Sequence, residues 1–229
     1  RLNNEYRFKF FKIDNYYVYM SGYILNDDWK DLLSELLSSK KHNYENIVRS
    51  FQKKVDGDFV IIIFNDNFFL GFSDILGRLP FYFSKKENII TICLDFSEFT
   101  LNECNLNNHA LIDYITYGFC FEEKTIFKEI EKLSCENYLT IENNYVKKTS
   151  LNWPFWWIEE DITLNEVISS IDKRKQKILN FFNNSQELIC DLSGGFDSRL
   201  IFSLFKNEIP LLCFTQKYVQ DESGLAKKL

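Results

Sequence analysis

The sequence predicts an α+β region built on two layered antiparallel sheets, followed by the opening of an α/β region with a parallel sheet. Three observations predict it. Short apolar and aromatic runs punctuated by Asn, Asp and Gly fill the chain to about Ile141, which is the pattern of hairpin-linked strands. An amphipathic stretch opening at Thr163 then breaks that rhythm with a helical period. After it come an apolar run, a Gly-Gly turn, a second helical pattern and another apolar run, the order of one strand-helix-strand unit.

Strand signals run over Phe8 to Ile13, Tyr16 to Leu25, Phe59 to Phe64, Phe68 to Phe72, Pro80 to Phe83, Ile89 to Leu94 and Tyr138 to Ile141. Helix signals interrupt them. Asp28 to Leu37 places Trp29, Leu32, Leu33, Leu36 and Leu37 on one face, and Tyr44 to Gln52 and Asn108 to Tyr117 are similar. The segment from Thr149 to Ile162, with Trp153, Trp156 and Trp157 before Glu159 to Asp161, reads as a connector. Its tryptophans pack a seam or line a substrate pocket. Thr163 followed three residues later by Glu166 is a capping-box start for a helix running to about Asn180. A strand at 187 to 192, the glycine turn, a helix and a strand at Pro210 to Thr215 complete the series. One such unit cannot bury both faces of a sheet, so the second domain is expected to be incomplete. The boundaries expected are 1–148 for the first domain, 149–162 for the connector and 163–229 for the second.

A chain of 229 residues, 45% hydrophobic and 17% aromatic, carries enough apolar surface for one large domain or two modest ones. The net charge of −6, with Lys and Arg scattered, argues against a nucleic-acid face. Lys40-Lys41 and Lys147-Lys148 read as solvated loops. No run of eighteen apolar residues and no signal-peptide core occurs, so neither membrane nor secretion is indicated and a cytoplasmic location is expected. With Arg rather than Met at position 1, the true start is expected upstream. The six cysteines, at 93, 104, 120, 135, 190 and 213, never fall in a CxxC spacing, and His42 and His109 have no ligand neighbours, which leaves zinc without a site. Cys190 and Cys213 sit inside apolar runs and read as small buried residues of a reduced protein.

The most informative segment is Asp191-Leu192-Ser193-Gly194-Gly195-Phe196-Asp197-Ser198-Arg199-Leu200. Two adjacent glycines between a strand and a helix let backbone amides approach an anion, and the first amides of the helix point at it. Asp197 lies at the same mouth, where a carboxylate beside phosphates can ligate Mg²⁺. No Lys follows the glycines, so this is not the GxxxxGK[ST] loop. A Gly-Gly turn before a helix can also be structural only. Arg199 could contact phosphate or an acyl substrate, or make a surface salt bridge.

Ser193 to Ser198 resembles the SGGxDS pyrophosphate loop of PP-loop ATP pyrophosphatases. Val55-Asp56-Gly57-Asp58-Phe59 and Ser73-Asp74-Ile75-Leu76-Gly77-Arg78-Leu79-Pro80-Phe81-Tyr82 resemble the LDGxFAF and RDxxGxxPLYY segments of the asparagine synthetase family. Thr125 to Ile130 with Tyr138 to Ile141 is similar to that family's TIFxGIxxLPPGxYLxI connection, and Phe214-Thr215-Gln216 with Asp221-Glu222 to the strand after its ATP loop.

The resemblance implies an N-terminal Ntn-hydrolase-like αββα sandwich of the class II glutamine amidotransferase type, then the start of an α/β PP-loop domain. It implies ATP and Mg²⁺ as cofactors, with Leu192 and Gln216 flanking adenine through backbone contacts. Ser193, Gly194, Gly195 and Ser198 would hold pyrophosphate and Asp197 the metal. The implied reaction is ATP-dependent amide formation on a small carboxylate, aspartate first among them, with ammonia or an amine as the second partner. A homodimer is compatible with it. The alternatives are a relative that cyclises or amidates a peptide, amino acid or sugar acid without glutaminase activity, and a degenerate nucleotide-binding chain.

The departures fall on the glutaminase features. Family members that hydrolyse glutamine begin with a nucleophilic Cys, whereas this chain begins with Arg1. Ser21-Gly22-Tyr23-Ile24-Leu25-Asn26 stands where the family has NGEIYN, so Ser21 replaces an oxyanion-donating Asn. The acidic residue that grips the glutamine amino group is expected near Ser38 to Asn43, which holds none. The first domain is therefore expected not to hydrolyse glutamine. The family's second segment, SGxGxDE, is expected beyond Leu229.

Overall fold

The computed structural model describes residues 8–38, 43–86, 89–99, 104–142, 145–151, 162–182, 188–193 and 195–215. The chain divides into two compact units, Arg1–Trp157 and Ile158–Leu229.

The first unit is a mixed α/β fold with antiparallel sheets. Strands β1 (Phe8–Ile13) and β2 (Tyr16–Ile24) form a hairpin whose turn places Asp14 in the left-handed region at φ 51°, a conformation that short polar side chains tolerate. Helices α1 (Trp29–Ser38) and α2 (Tyr44–Lys54) follow. A second hairpin joins β3 (Gly57–Asn65) to β4 (Phe68–Ser73), its turn closed by Asn65 Oδ1 accepting from the Asn67 amide at 2.9 Å. Then come β5 (Tyr82–Lys86), β6 (Ile89–Cys93), a 3-10 turn (Phe96–Glu98), α3 (Asn108–Tyr117), β7 (Ile130–Lys132), β8 (Asn137–Glu142) and β9 (Tyr145–Ser150). The six-stranded sheet has order β1-β2-β3-β4-β8-β9 and the three-stranded sheet order β6-β5-β7.

Two cores explain the sequence pattern. On one face of the large sheet Val18, Met20, Phe59, Ile61, Ile63, Leu70 and Phe72 meet Trp29, Leu33 and Leu37 of α1 and Ile47, Val48 and Phe51 of α2. Phe51 is edge-on to Phe59 and Phe72, with ring centroids 5.6 and 5.8 Å away, the arrangement the ring quadrupole favours. The second core joins Val60 and Leu139 to Phe81, Phe83 and Leu133 of the smaller sheet and its flanking segments. Strand β3 contributes to both cores, which is why it reads Phe-Val-Ile-Ile-Ile-Phe rather than alternating. Gln52 is the polar link: its Nε2 donates to the carbonyls of Ser73 and Cys135 at 2.8 and 3.2 Å, tying α2 to β4 and to the segment before β8.

Two sequence expectations change here. Lys147 and Lys148 are not in a solvated loop but in β9, paired through its length with β8. Strand β7 is too short to leave a period and was not expected.

In the second unit Thr163 caps α4 (Leu164–Phe181) through the full capping box, the Glu166 amide donating to Thr163 Oγ1 at 3.3 Å and the Thr163 amide to Glu166 Oε2 at 2.8 Å. Strand β10 (Leu188–Asp191), helix α5 (Phe196–Phe205) and strand β11 (Leu211–Phe214) form the strand-helix-strand unit, with β10 and β11 parallel and Leu188 opposite Leu211. Among the described residues no helix is long and apolar enough to cross a membrane.

Candidate functional site

Leu192 leaves the end of β10 with its amide donating to the Phe214 carbonyl at 2.8 Å, and is buried. That bond continues the ladder one residue past the strand and fixes where the turn begins. Ser193 and Ser198 then meet across the turn. Their hydroxyls lie 2.9 Å apart, the Ser193 amide donates to Ser198 Oγ at 3.0 Å, and Ser198 Oγ reaches the Ser193 carbonyl at 3.1 Å. The Gly195 amide donates to Ser193 Oγ at 3.2 Å. Gly195 is the N-cap of α5 and supplies no side-chain cap, so the first-turn amides have no side-chain acceptor from it. A Cβ at Gly195 would lie 3.2 Å from Ser193 Oγ, so the turn is tight where an anion would approach.

Asp197 is in the first turn of α5, exposed, with no hydrogen bond or ion pair among the described residues. No group of three or more His, Cys, Asp or Glu that could hold a metal occurs among the described residues. A single carboxylate fits Mg²⁺ when phosphate oxygens and waters supply the remaining ligands, and the uncapped helix end beside it suits those phosphates. Arg199 makes two contacts within the turn itself. Its Nε donates to the Gly195 carbonyl at 3.1 Å and its guanidinium lies 4.6 Å from the centre of the Phe196 ring, bracing the turn from within. Gly194 and Gln216 lie outside the described residues, as do Trp153, Trp156, Trp157, Asp221 and Glu222.

In the first unit Ser21 lies in β2, opposite Phe8 on one side and Val60 on the other, and is 8% exposed. Its neighbour Gly22 adopts φ 96°. Beside them is a cluster without a local sequence signal: Tyr23 OH donates to Asp58 Oδ2 at 2.9 Å, and Arg78 pairs with the other carboxylate oxygen of Asp58. The hydrogen bond to Asp58 raises the Arg78 pKa further, holding the guanidinium charged. Asp74 holds the intervening loop by accepting from the amides of Leu76 and Arg78 at 2.9 and 3.2 Å. Of the segment expected to grip a glutamine amino group, residues 39–42 lie outside the described residues. Asn43 caps α2, accepting from the Glu45 and Asn46 amides at 3.1 and 3.4 Å.

A cavity of about 760 Å³ in this unit is lined by Glu123, Glu131, Ser134, Cys135, Asn137 and Lys148 among others, and by none of the sequence-predicted site residues. Lys148 bridges Glu123 and Glu131, its Nζ 2.7 Å from Glu131 Oε2. Burial pushes the Glu123 carboxyl up, but hydrogen bonds from Lys148, Asn137 and the Ser134 amide outweigh it and hold the group below its ordinary value. A carboxyl with a depressed folded pKa contributes stability above its unfolded pKa and loses it as pH falls through the folded value. Thermal melts of the first unit should therefore weaken on acidification below the ordinary Glu value of 4.5. Lys148→Met should flatten that acid limb and cost on the order of 1 kcal/mol at neutral pH, the groups being partly solvated. An unchanged acid limb in Lys148→Met would remove the bridge from the account.

No family model and no curated protein sequence matches the chain. Among solved structures it is similar to the glutamine phosphoribosylpyrophosphate amidotransferase from B. subtilis complexed with ADP and GMP. The identity is 10%, the TM-score 0.38, and the match covers 96% of this chain and 52% of that one. A structure described as the allosteric regulatory enzyme of purine biosynthesis matches at 9% identity and TM-score 0.39, over 96% of this chain and 51% of that one. The chain spans about half the length of these structures.

Proposed function

We propose that the second unit holds the phosphates of MgATP at the turn from Leu192 to Ser198, as part of an enzyme that adenylates a carboxylate and forms an amide. The observation that carries this reading is the Ser193–Ser198 hydroxyl pair at the uncapped start of α5. Those two hydroxyls, with the Ser193 and Gly195 amides, now satisfy one another. A phosphate oxygen entering the turn exchanges these mutual bonds for charge-assisted ones, which are about twice as strong. The order of the resembling segments along the chain supports the same reading.

In this reading a substrate carboxylate oxygen attacks the α-phosphorus of ATP, and the bond to the β-phosphate oxygen breaks, giving an acyl-adenylate and pyrophosphate. Ammonia or an amine then attacks the acyl carbon and releases AMP. Ser193, Gly194, Gly195 and Ser198 donate to the charge that develops on the leaving pyrophosphate, in positions set before the reaction. Mg²⁺ at Asp197 would neutralise part of that charge. Leu192 and Gln216 flank the adenine; Gly194 and Gln216 belong to the proposal by sequence alone. Aspartate is the acid the resemblance puts first.

The test is exchange of labelled pyrophosphate into ATP, with the whole protein, across a panel of carboxylic acids headed by aspartate. Exchange that depends on one acid supports adenylation. Saturable MgATP binding with no exchange for any acid would reduce the turn to a nucleotide site.

A further inference from the structure

Cys190 and Cys213 lie on β10 and β11, and the parallel register sets them directly opposite each other. Neighbouring strands are about 4.8 Å apart, inside the roughly 4.4–6.8 Å separation of Cα atoms that a disulfide spans. Opposed residues of a ladder share a face, and here it is the sheltered one. Ile189, Asp191, Leu212 and Phe214 are exposed, whereas Cys190 is buried and Cys213 half-buried. The Cys190 thiol donates to the Asp191 carbonyl at 3.7 Å, and Cys213 is near enough to bear on its ionisation. Both are free, and the other cysteines, at 93, 104, 120 and 135, belong to the first unit. The Leu192 amide bonds to the carbonyl one residue beyond Cys213, so the pair sits at the root of the Ser193–Ser198 turn.

We propose that Cys190 and Cys213 are a reversible dithiol–disulfide site whose oxidant is a low-molecular-weight disulfide such as glutathione disulfide. Cys213, the more accessible of the two, reacts first. Its thiolate attacks one sulfur of glutathione disulfide, forms a mixed disulfide and expels one glutathione thiolate, which takes up the proton that Cys213 lost. Cys190 then gives up its proton and attacks the Cys213 sulfur, expelling the second glutathione. Two protein thiols and one glutathione disulfide become one protein disulfide and two glutathione thiols. Burial first, then Cys213 and Asp191 beside it, pushes the Cys190 thiol up, so closure of the bond accelerates as pH rises. The site stands on register and a shared sheltered face, independently of what the turn binds.

The experiment is to incubate the full chain with glutathione disulfide, alkylate the remaining thiols, digest without reduction and read the peptides by mass spectrometry. The expected result is one linked peptide pair joining Cys190 to Cys213, two hydrogens lighter than the separate peptides and lost on reduction. Cys213→Ser should give no linked pair and an alkylated Cys190, with circular dichroism confirming that the variant is folded. Full alkylation of both thiols in the unaltered chain after oxidation would overturn the proposal. So would a link from Cys190 to a first-unit cysteine, or a stable glutathione adduct at Cys213 beside a free Cys190.

Discussion

Gly22→Ala is expected to destabilise the first unit by roughly 3–5 kcal/mol, the combined cost of a strained left-handed residue and a steric insertion into a packed core. Gly22 has φ 96°, and a Cβ there would lie 2.0 Å from the Asp58 carbonyl oxygen and 2.6 Å from Leu79 Cδ1. The oxygen belongs to the backbone of β3, held at Asp58 by its pairing with Tyr23 of β2, and cannot retreat as a side chain would. Relief would have to come from parting β2 and β3 at the pair Gly22 and Phe59, beside the Asp58–Arg78 cluster. Gly118 supplies the control. It too is left-handed, at φ 81°, but a Cβ there meets nothing within 4 Å, so Gly118→Ala should cost only the left-handed penalty of about 1–2 kcal/mol. With a urea dependence of about 1–3 kcal/mol per molar, the two variants should separate clearly in denaturation followed by circular dichroism. Equal midpoints would mean that the close approach of β2 to β3 at Gly22 is wrong.

Gly195→Val is expected to weaken MgATP binding by at least about a hundredfold, roughly 3 kcal/mol, while leaving the first unit's melting unchanged. The added Cβ falls 3.2 Å from Ser193 Oγ, and the branches of Val extend from there into the mouth of the turn. They would crowd the Ser193–Ser198 pair and block backbone amides from an anion, removing several charge-assisted bonds worth about 1.5–3 kcal/mol each. Ser198→Ala should have a smaller effect, about one such bond. It also takes away the acceptor of the Ser193 amide. Calorimetric titration of the two variants in parallel tests the ranking, and a Gly195→Val chain that binds as tightly as Ser198→Ala would reverse it.

Much of the first unit was legible because its strands carry their own punctuation. Phe8–Ile13 and Asn108–Tyr117 match the expected ranges, and most other elements differ by only a few residues at their ends. Strand β9 was not legible. It is the last strand of its sheet, with only Val146 and Thr149 turned toward shelter, so Lys147 and Lys148 dominate its composition. Strand β7 spans three residues, shorter than any period can show. At the candidate site the order Ser-Gly-Gly-Phe-Asp-Ser was plain in the sequence and so was its place between strand and helix. The mutual capping of Ser193 and Ser198 was not, nor was the bracing of the turn by Arg199, because hydroxyl orientation and cation stacking depend on how tightly the turn closes. The Tyr23, Asp58 and Arg78 cluster joins residues 35 and 20 positions apart, and pairing across strands at that distance leaves no local mark.

The central claim is that the turn from Leu192 to Ser198 binds a nucleotide through phosphate and metal. Its most direct test is calorimetric titration of the chain with ATP, with and without Mg²⁺, beside the same titration of Asp197→Ala. The account predicts saturable binding of one ATP per chain that needs Mg²⁺ and weakens about tenfold or more in Asp197→Ala, a change of about 1.4 kcal/mol. No binding in the unaltered chain, or binding indifferent to both Mg²⁺ and Asp197, would contradict it.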